Sequence, residues 1–322
     1  MAITVKKAIL HILGGFGSPP VLSQTELDID SETCETFIVK HVKKMINNPA
    51  ARTALFKPDS ALYKLLTEYQ SGAAFFMDTA SAVTLKLQES VSAIKDFPPG
   101  DLLIAHAAEK GAEYFAVVVL PYQETYTGQL KGNSNQIAKG RALPFTSGKV
   151  EYACLIGLDG SAMPIGLVEK DDFFSASFLE CDTTPSKKEQ AQLISDVSGE
   201  FVQEYHNNNP KVSARIKAAL VEEAEAEEGF VSMDNVAANV FDEDEDEKVR
   251  YLSVMREAGI TSDLPLGERV ARSHFAVQRI IGDNGIEIKF PAHLAADEDE
   301  LELTPHTDGT VTVTIKRLCI RS

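Results

Sequence analysis

The chain has 322 residues, of which 44% are hydrophobic, and a formal net charge of −17. This length can bury a large core, which excludes a small scaffold held by disulfides or metals, and about two domains are expected. The 4 cysteines, Cys34, Cys154, Cys181 and Cys319, form no CxxC pair, so a zinc knuckle and a thioredoxin-like redox site have no support.

The acidic residues are concentrated in two stretches. Residues 219–247 contain twelve Asp or Glu and no Lys or Arg, and residues 297–302 contain five more acids. The remaining 31 acids equal the 31 Lys and Arg residues, so the rest of the chain is electrically balanced. A neutral body with acidic appendages can still present a local basic face to a polyanion.

The first strand is predicted at Ile3 to Leu13, before a loop rich in Gly and Pro. No stretch approaches the roughly 20 apolar residues of a membrane helix, and we therefore expect a cytoplasmic protein. The loop sequence GGFG matches neither GxGxxG nor GxxxxGK, which favours a turn over a phosphate site. A second strand is expected near Glu26 to Ile29.

Four helices are predicted before the central sheet. They begin after Ser31, at Asn48-Pro49, after Asp59 or Ser60, and near Phe76. The last carries apolar residues at helical spacing over five turns, and we expect it to pack across the sheet.

Two apolar runs in Asp101 to Tyr122, DLLIAHAAEKGAEYFAVVVLPY, flank the polar break Glu109-Lys110-Gly111. The AVVVL run is rich in β-branched residues and is typical of a strand buried on both faces. The pattern predicts a hairpin at the centre of a sheet.

The most basic stretch is 125–150, which contains Lys131, Lys139, Arg141 and Lys149 and no acid. Strand-like residues on both sides of Gly132-Asn133 predict a hairpin with an exposed polar tip. These four cations are candidates for contact with DNA phosphates, and a solvated surface is the alternative. Further strands are expected at 150–158 and 163–168.

A helix from Ser186 to about Tyr205 ends at the linker-like run His206-Asn-Asn-Asn-Pro210, where we place a domain boundary. The predicted fold class is α+β. Domain 1–209 has a mainly antiparallel sheet packed with helices. Domain 210–322 has acidic helical segments followed by a small antiparallel sheet, with hairpins about Asp283-Asn284-Gly285 and Asp308-Gly309. The acidic run 242–247 is interpreted as a solvated helix start or a mobile loop; a divalent-cation site is a poorer alternative.

Catalytic and metal motifs are absent from the sequence, so an enzyme is disfavoured and no metal or cofactor is expected. The 7 histidines show no HExxH spacing, no GxSxG elbow is present, and His11 and His106 fall in predicted strands as structural residues. No helix-turn-helix, zinc-finger or RNA-recognition signature supports direct base readout. Secondary candidates for phosphate contact lie near the final strands, and they are Arg269, Arg272, Arg279, Lys316, Arg317 and Arg321.

Five segments carry a resemblance to a known family. In chain order they are VKKAILHIL, DLLIAHAAEKGAEYFAVVVLPYQETY, DDFFSASFLECDTTPSKKEQAQ, HFAVQRIIGDNGIEIKFPAHL and DGTVTVTIKRL. Together they resemble the bacterial 37-kDa nucleoid-associated protein family, NdpA type, nearly from end to end. The resemblance implies a cytoplasmic protein that co-localises with the nucleoid and binds DNA, with no established activity or cofactor.

Two hypotheses follow. The first is a non-enzymatic nucleoid-associated protein that contacts duplex DNA with little sequence preference through a basic loop such as 125–150, aided by a homodimer that doubles the contacts. The second is an acidic protein-interaction module, in which 222–247 docks on a basic or DNA-binding partner without contact to DNA. The first is the leading hypothesis. The concentrated acidic charge motivates the second, because tight non-specific DNA binding depends on neutralising phosphates.

Overall fold

The computed structural model describes the chain except residues 1–2, 15–16, 93, 132–133, 243, 261–262, 298, 307–309, 317–318 and 320–322, and it describes only the backbone of 130, 131 and 134. The chain forms two compact units, Met1–Thr184 (unit 1) and Pro185–Ser322 (unit 2). Helices and antiparallel sheets occur in the predicted arrangement, and the α+β class is confirmed. None of the described helices is both long enough and apolar enough to cross a membrane.

Unit 1 is built on a seven-stranded antiparallel sheet. Its strands are β1 (Thr4–Leu13), β2 (Arg52–Phe56), β3 (Gly100–Glu109), β4 (Ala112–Pro121), β7 (Ala153–Gly157), β8 (Ile165–Val168) and β9 (Cys181–Thr184). They lie in the order β1-β3-β4-β7-β8-β2-β9. The remaining strands, β5 (Gln123–Lys131) and β6 (Ser134–Ala142), form a separate two-stranded sheet.

The β3–β4 hairpin at the centre of this sheet confirms the sequence prediction. Lys110 and Gly111 form its two-residue turn, with φ of 54° and 87°, as a type I′ turn requires. Leu102, Ile104, Val117 and Val119 pack into one core cluster, and alternate residues such as Leu103 and Val118 pack into another. The hairpin is therefore buried on both faces.

Helices cover both faces of the sheet. Helix α1 (Glu32–Ile46) buries Ile38, Val42 and Met45 in one cluster, whereas α2 (Ala61–Gln70) and α3 (Phe76–Val91) pack in the other. Ser60 caps α2 by accepting a 3.2 Å hydrogen bond from the amide of Tyr63. A short π-helix, Phe174–Leu179, packs against α3.

Two predicted elements of unit 1 are wrong. The segment at Asn48-Pro49 forms a turn that leads into β2, because Ala54 is drawn into the core and β2 pairs with both β8 and β9. No strand forms at 26–29, where the amide of Leu27 donates to Ala8 and the neighbouring backbone stays irregular. Tertiary pairing overrides local propensity in both segments.

Unit 2 contains five α-helices in the part of the chain that the structure describes: α4 (Lys187–His206), α5 (Pro210–Ala226), α6 (Met233–Val240), α7 (Glu245–Glu257) and α8 (Glu268–Phe275). Helix α4 begins with a capping box between Ser186 and Glu189, and it ends at Asn207, which is left-handed with φ of 50°. The predicted start and end of this helix are thus confirmed.

The division between the units lies at Thr184/Pro185, whereas the sequence places the boundary at 209/210. Ala191, Ile194 and Phe201 of α4 pack in the same cluster as Leu220 of α5 and Tyr251 of α7. The helix before the Asn run therefore belongs to the second unit, because its apolar face is buried there.

Short antiparallel sheets complete unit 2. Strands β10 (Val231–Ser232) and β11 (Asp263–Leu264) form one pair, β12 (Val277–Ile281) and β13 (Glu287–Pro291) a second, and β14 (Leu301–Pro305) and β15 (Val311–Ile315) a third. A 3-10 helix, Ala292–Ala296, joins β13 to the segment before β14. Both predicted C-terminal hairpins form, although as separate pairs; the tip at 307–309 lies outside the described residues.

Acid is expected to destabilise unit 1 through His41. This α1 residue is buried beside Phe37, and neither ring nitrogen has a hydrogen-bond partner in the described structure. Burial, together with nearby Lys44, lowers the pKa of His41 to about 4 from 6.5. The unfolded chain therefore binds more protons between these values, and the free energy of unfolding falls as the pH decreases through them.

This protonation of His41 lowers the free energy of unfolding by at most about 3 kcal/mol. Urea unfolding of the wild type and His41→Leu, near neutrality and at about pH 4.5, should give a smaller pH-dependent loss in the variant. Equal pH-dependent losses of stability in the two proteins would contradict this role of His41.

Gly100 is expected to tolerate no side chain. A Cβ there would lie within 2.9 Å of the Leu120 carbonyl carbon on the paired strand. Gly100→Ala should lower the free energy of unfolding by about 1–3 kcal/mol. Gly128→Ala is the matched control, because no atom lies within 4 Å of its added methyl group. Thermal unfolding compares the two variants, and equal midpoints would show that the close approach does not matter.

Candidate nucleic-acid interface

The β5–β6 hairpin, hereafter the arm, projects from the centre of unit 1. Strands β4 and β7 are neighbours in the large sheet, and the arm is a long insertion in the connection between them. Its nine residue pairs run from Gln123 opposite Ala142 to Lys131 opposite Ser134. This confirms the hairpin predicted around Gly132-Asn133, two residues whose own structure is outside the described part.

Hydrogen bonds to the rest of unit 1 hold the base of the arm. The amide of Tyr122 donates a 3.1 Å hydrogen bond to Pro99, and its hydroxyl donates to the buried carboxylate of Asp101. Burial raises the pKa of Tyr122 to about 12, and the Asp101 hydrogen bond adds to this effect. On the return segment, Lys44 of α1 donates to the Gly148 carbonyl. The arm therefore begins and ends at well-anchored positions.

The register divides the arm into two different faces, because cross-strand pairs share a face and alternate along each strand. One face carries Glu124 opposite Arg141, Tyr126 opposite Lys139, and Gly128 opposite Ile137. The other face, where its side chains are described, carries small or uncharged residues, and these include Thr125, Thr127, Gln129, Gln136, Ala138 and Gly140. The predicted cations Lys139 and Arg141 are thus brought together on one face.

The cationic face of the arm is exposed. The Lys139 ammonium lies 3.6 Å from a Glu124 carboxylate oxygen and 5.8 Å from the centre of the Tyr126 ring. The ammonium–carboxylate pair is largely solvated, so it holds Lys139 only weakly. Arg141 and Lys149 are also exposed. Lys131 lies on the other face by register, and its side chain is outside the described part.

The candidates in unit 2 are differently placed, because three of the four that the structure describes contact carboxylates. Arg272 is 2.7 Å from Glu225, Arg279 contacts Glu287, and Lys316 is 3.0 Å from Glu302. Arg269 is exposed on α8. Arg317 and Arg321 lie outside the described residues.

Several acids of the 219–247 stretch serve the fold of unit 2. Asp244 caps α7 by accepting from the amide of Glu247, and Glu245 and Asp246 occupy its first turn, where negative charge favours the helix dipole. The buried carboxylate of Glu223 accepts a 2.7 Å hydrogen bond from Asn235. The interpretation of 242–247 as a helix start is confirmed, and no metal-binding cluster of His, Cys, Asp or Glu occurs in the described structure.

A polar relay closes one end of the unit 1 core. Tyr69 Oη lies 2.7 Å from His106 Nδ1, and His106 Nε2 lies 2.7 Å from Glu113, which also pairs with Lys6. Tyr69, His106 and Glu113 border an open cavity of about 400 Å³. Because His106 Nε2 donates to the Glu113 carboxylate, Nδ1 of the neutral ring accepts from the Tyr69 hydroxyl. Burial and the nearby carboxylates of Glu26 and Glu113 raise the pKa of Tyr69 to about 12. The relay satisfies partly buried polar groups, in agreement with a structural role for His106.

Sequence reasoning missed Tyr126 and Ile137, which share the cationic face. A signal was present, since a two-residue turn at Gly132-Asn133 sets the register and places Lys139 opposite Tyr126. The partners of Arg272, Arg279 and Lys316 depend on tertiary packing or strand register and had no comparable signal.

Comparison with known proteins gives one family. The family model described as nucleoid-associated protein YejK matches residues 9–320. No curated protein matches the chain. The family match spans nearly the whole sequence and both units, in agreement with the resemblance seen in the five segments. The chain therefore belongs to the family of nucleoid-associated protein YejK.

Proposed function

We propose that this chain is a non-enzymatic protein of the cytoplasmic nucleoid that binds duplex DNA through the arm with little sequence preference. The chain belongs to a nucleoid-associated family, and this membership supports the proposal. The observation that carries the proposal is the exposed face of the arm, where Lys139 and Arg141 project with a single acid, Glu124, among the paired residues. Lys149 follows at the base of the arm.

Phosphate contact is the chemistry that such a face supports. Lys and Arg that neutralise phosphates release condensed counterions, and this term is independent of base sequence. The arm is a two-stranded ribbon, and ribbons of this width fit a DNA groove. Arg269 is a secondary contact in this proposal, and a homodimer would strengthen binding by engaging two arms at once.

Arg272, Arg279 and Lys316 are expected to contribute less. Each already contacts a carboxylate, so phosphate binding would have to break an existing ion pair. On the arm, the Lys139–Glu124 distance of 3.6 Å is longer than the 2.7 Å and 3.0 Å of the Arg272 and Lys316 pairs, and Arg141 and Lys149 are exposed. Arg272, Arg279 and Lys316 therefore serve as a control of equal charge.

Removal of the arm cations should weaken DNA binding selectively. The variant Lys139→Ala/Arg141→Ala/Lys149→Ala should bind about 10- to 100-fold more weakly at about 0.1 M salt, and the slope of log K against log salt should flatten by up to about 3. The loss should be similar on unrelated sequences, because phosphates carry no sequence information. Fluorescence anisotropy with labelled duplexes measures both quantities.

The matched control is Arg272→Ala/Arg279→Ala/Lys316→Ala, which changes the net charge by the same amount. It should alter affinity and salt slope much less, and circular dichroism should show both variants folded. Equal losses in the two triple variants would contradict a specific role for the arm.

A second candidate function rests on exposed acids in unit 2. Glu227 and Glu228 are exposed beside Phe230, which is 55% exposed, so this surface could dock a basic protein partner without contact to DNA. Deletion of 219–247 would be a poor test, because the stretch supplies the core residues Leu220 and Val236.

Charge neutralisation is the sharper test of this second function. Glu227→Gln/Glu228→Gln should weaken capture of a basic peptide such as polylysine while leaving DNA binding intact. Unchanged capture would remove this candidate.

A further inference from the structure

The arm carries an exposed apolar residue, Ile137, on the same face as Lys139 and Arg141. Ile137 is 80% exposed and stands opposite Gly128, which has no side chain to cover it. Tyr126 on the same face is 67% exposed. Large apolar side chains grouped on one face of a soluble protein mark an interaction surface.

The strand register fixes the position of Ile137 along the arm. Each strand has nine residues and therefore spans about 30 Å. Ile137 lies toward the tip, and Lys139 and Arg141 follow at two-residue steps of about 7 Å toward the base. Apolar Ile137 thus lies nearer the tip than the two cations of the same face.

We propose that the arm enters the minor groove, inserts Ile137 between adjacent base pairs and bends the duplex, an inference that rests on the proposed DNA binding. Lys139 and Arg141, which both follow Ile137 toward the base of the arm, then contact phosphates on one side of the opened step. Apolar side chains that wedge between base pairs unstack them and bend DNA by about 20–90°.

Charge complementarity favours DNA as the occupant of this face. A base-pair step offers an apolar slot next to phosphates, which matches an apolar residue followed on the same face by Lys139 and Arg141. Steps that unstack easily, such as TA and CA/TG, should be preferred, because the protein deforms them at lower cost. This preference arises from DNA flexibility without hydrogen bonds to base edges.

The test measures bending and binding together. A duplex labelled at both ends for fluorescence energy transfer, with a central TA step, should show increased transfer when the wild type binds. Ile137→Ala should bind about 5- to 20-fold more weakly with an unchanged salt slope, because no charge is removed, and it should leave the duplex straight. A nick at the central step should restore most of the lost affinity, since a nicked step is already easy to open.

The matched control is Ile281→Ala, an equally conservative change at an aliphatic residue that is 60% exposed on β12. It should bind and bend DNA like the wild type. Analytical ultracentrifugation of the same proteins reports their oligomeric state.

Four results would overturn the inference. The first is that the wild type binds the duplex but leaves the energy transfer unchanged. The second is that Ile137→Ala bends the duplex as fully as the wild type does. In both cases Ile137 does not act as a wedge, although the proposed DNA binding remains valid. If Ile137→Ala turns a dimer into a monomer, a second copy of the chain covers this face. If the wild type binds no duplex at low salt, the proposed function fails as well.

Discussion

The pairing of β3 with β4 is the constraint on which unit 1 depends. Ten residue pairs run from Gly100 opposite Pro121 to the turn at Lys110 and Gly111. Both faces of this hairpin are apolar, so the helices must cover the sheet on both sides, and β1 and β7 extend it at its two edges. The same strand then continues through Tyr122 into the arm. The buried β3–β4 hairpin thus supports the exposed arm.

The distribution of charge explains how a chain of net charge −17 can present a basic surface. In unit 2, acids cap α7, contact Arg272 and Arg279, and accept a hydrogen bond from Asn235. The arm carries exposed Lys139 and Arg141 with Glu124 as the acid of the same face. Local potential near a ligand is set by nearby charges, because salt screens charges beyond about 8–10 Å.

Much of the fold could be predicted because local signals agree with tertiary packing. The central hairpin, helices α1 to α4 and the arm follow from periodicity, caps and turn residues. Strand β2 could not be predicted, since the chain around Pro49 has helix-start chemistry and becomes a strand by pairing with β8 and β9. The placement of α4 was missed for a similar reason, because the partners of Ile194 and Phe201 lie far along the chain.

The candidate site was only partly predictable. The basic composition of 125–150 identified the arm, whereas its faces require the strand register, and the neutralised cations of unit 2 require contacts that composition cannot report. The nucleoid-associated family and the exposed arm together lead to the central claim, that the chain binds DNA by phosphate contacts from the arm.

The most direct measurement is the affinity of the wild-type protein for two unrelated duplexes over a range of salt concentrations. Parallel lines of log K against log salt are expected, with a slope of about −3 for one arm or about −5 for two. Binding that is absent at the lowest salt, or that does not depend on salt, would contradict the claim.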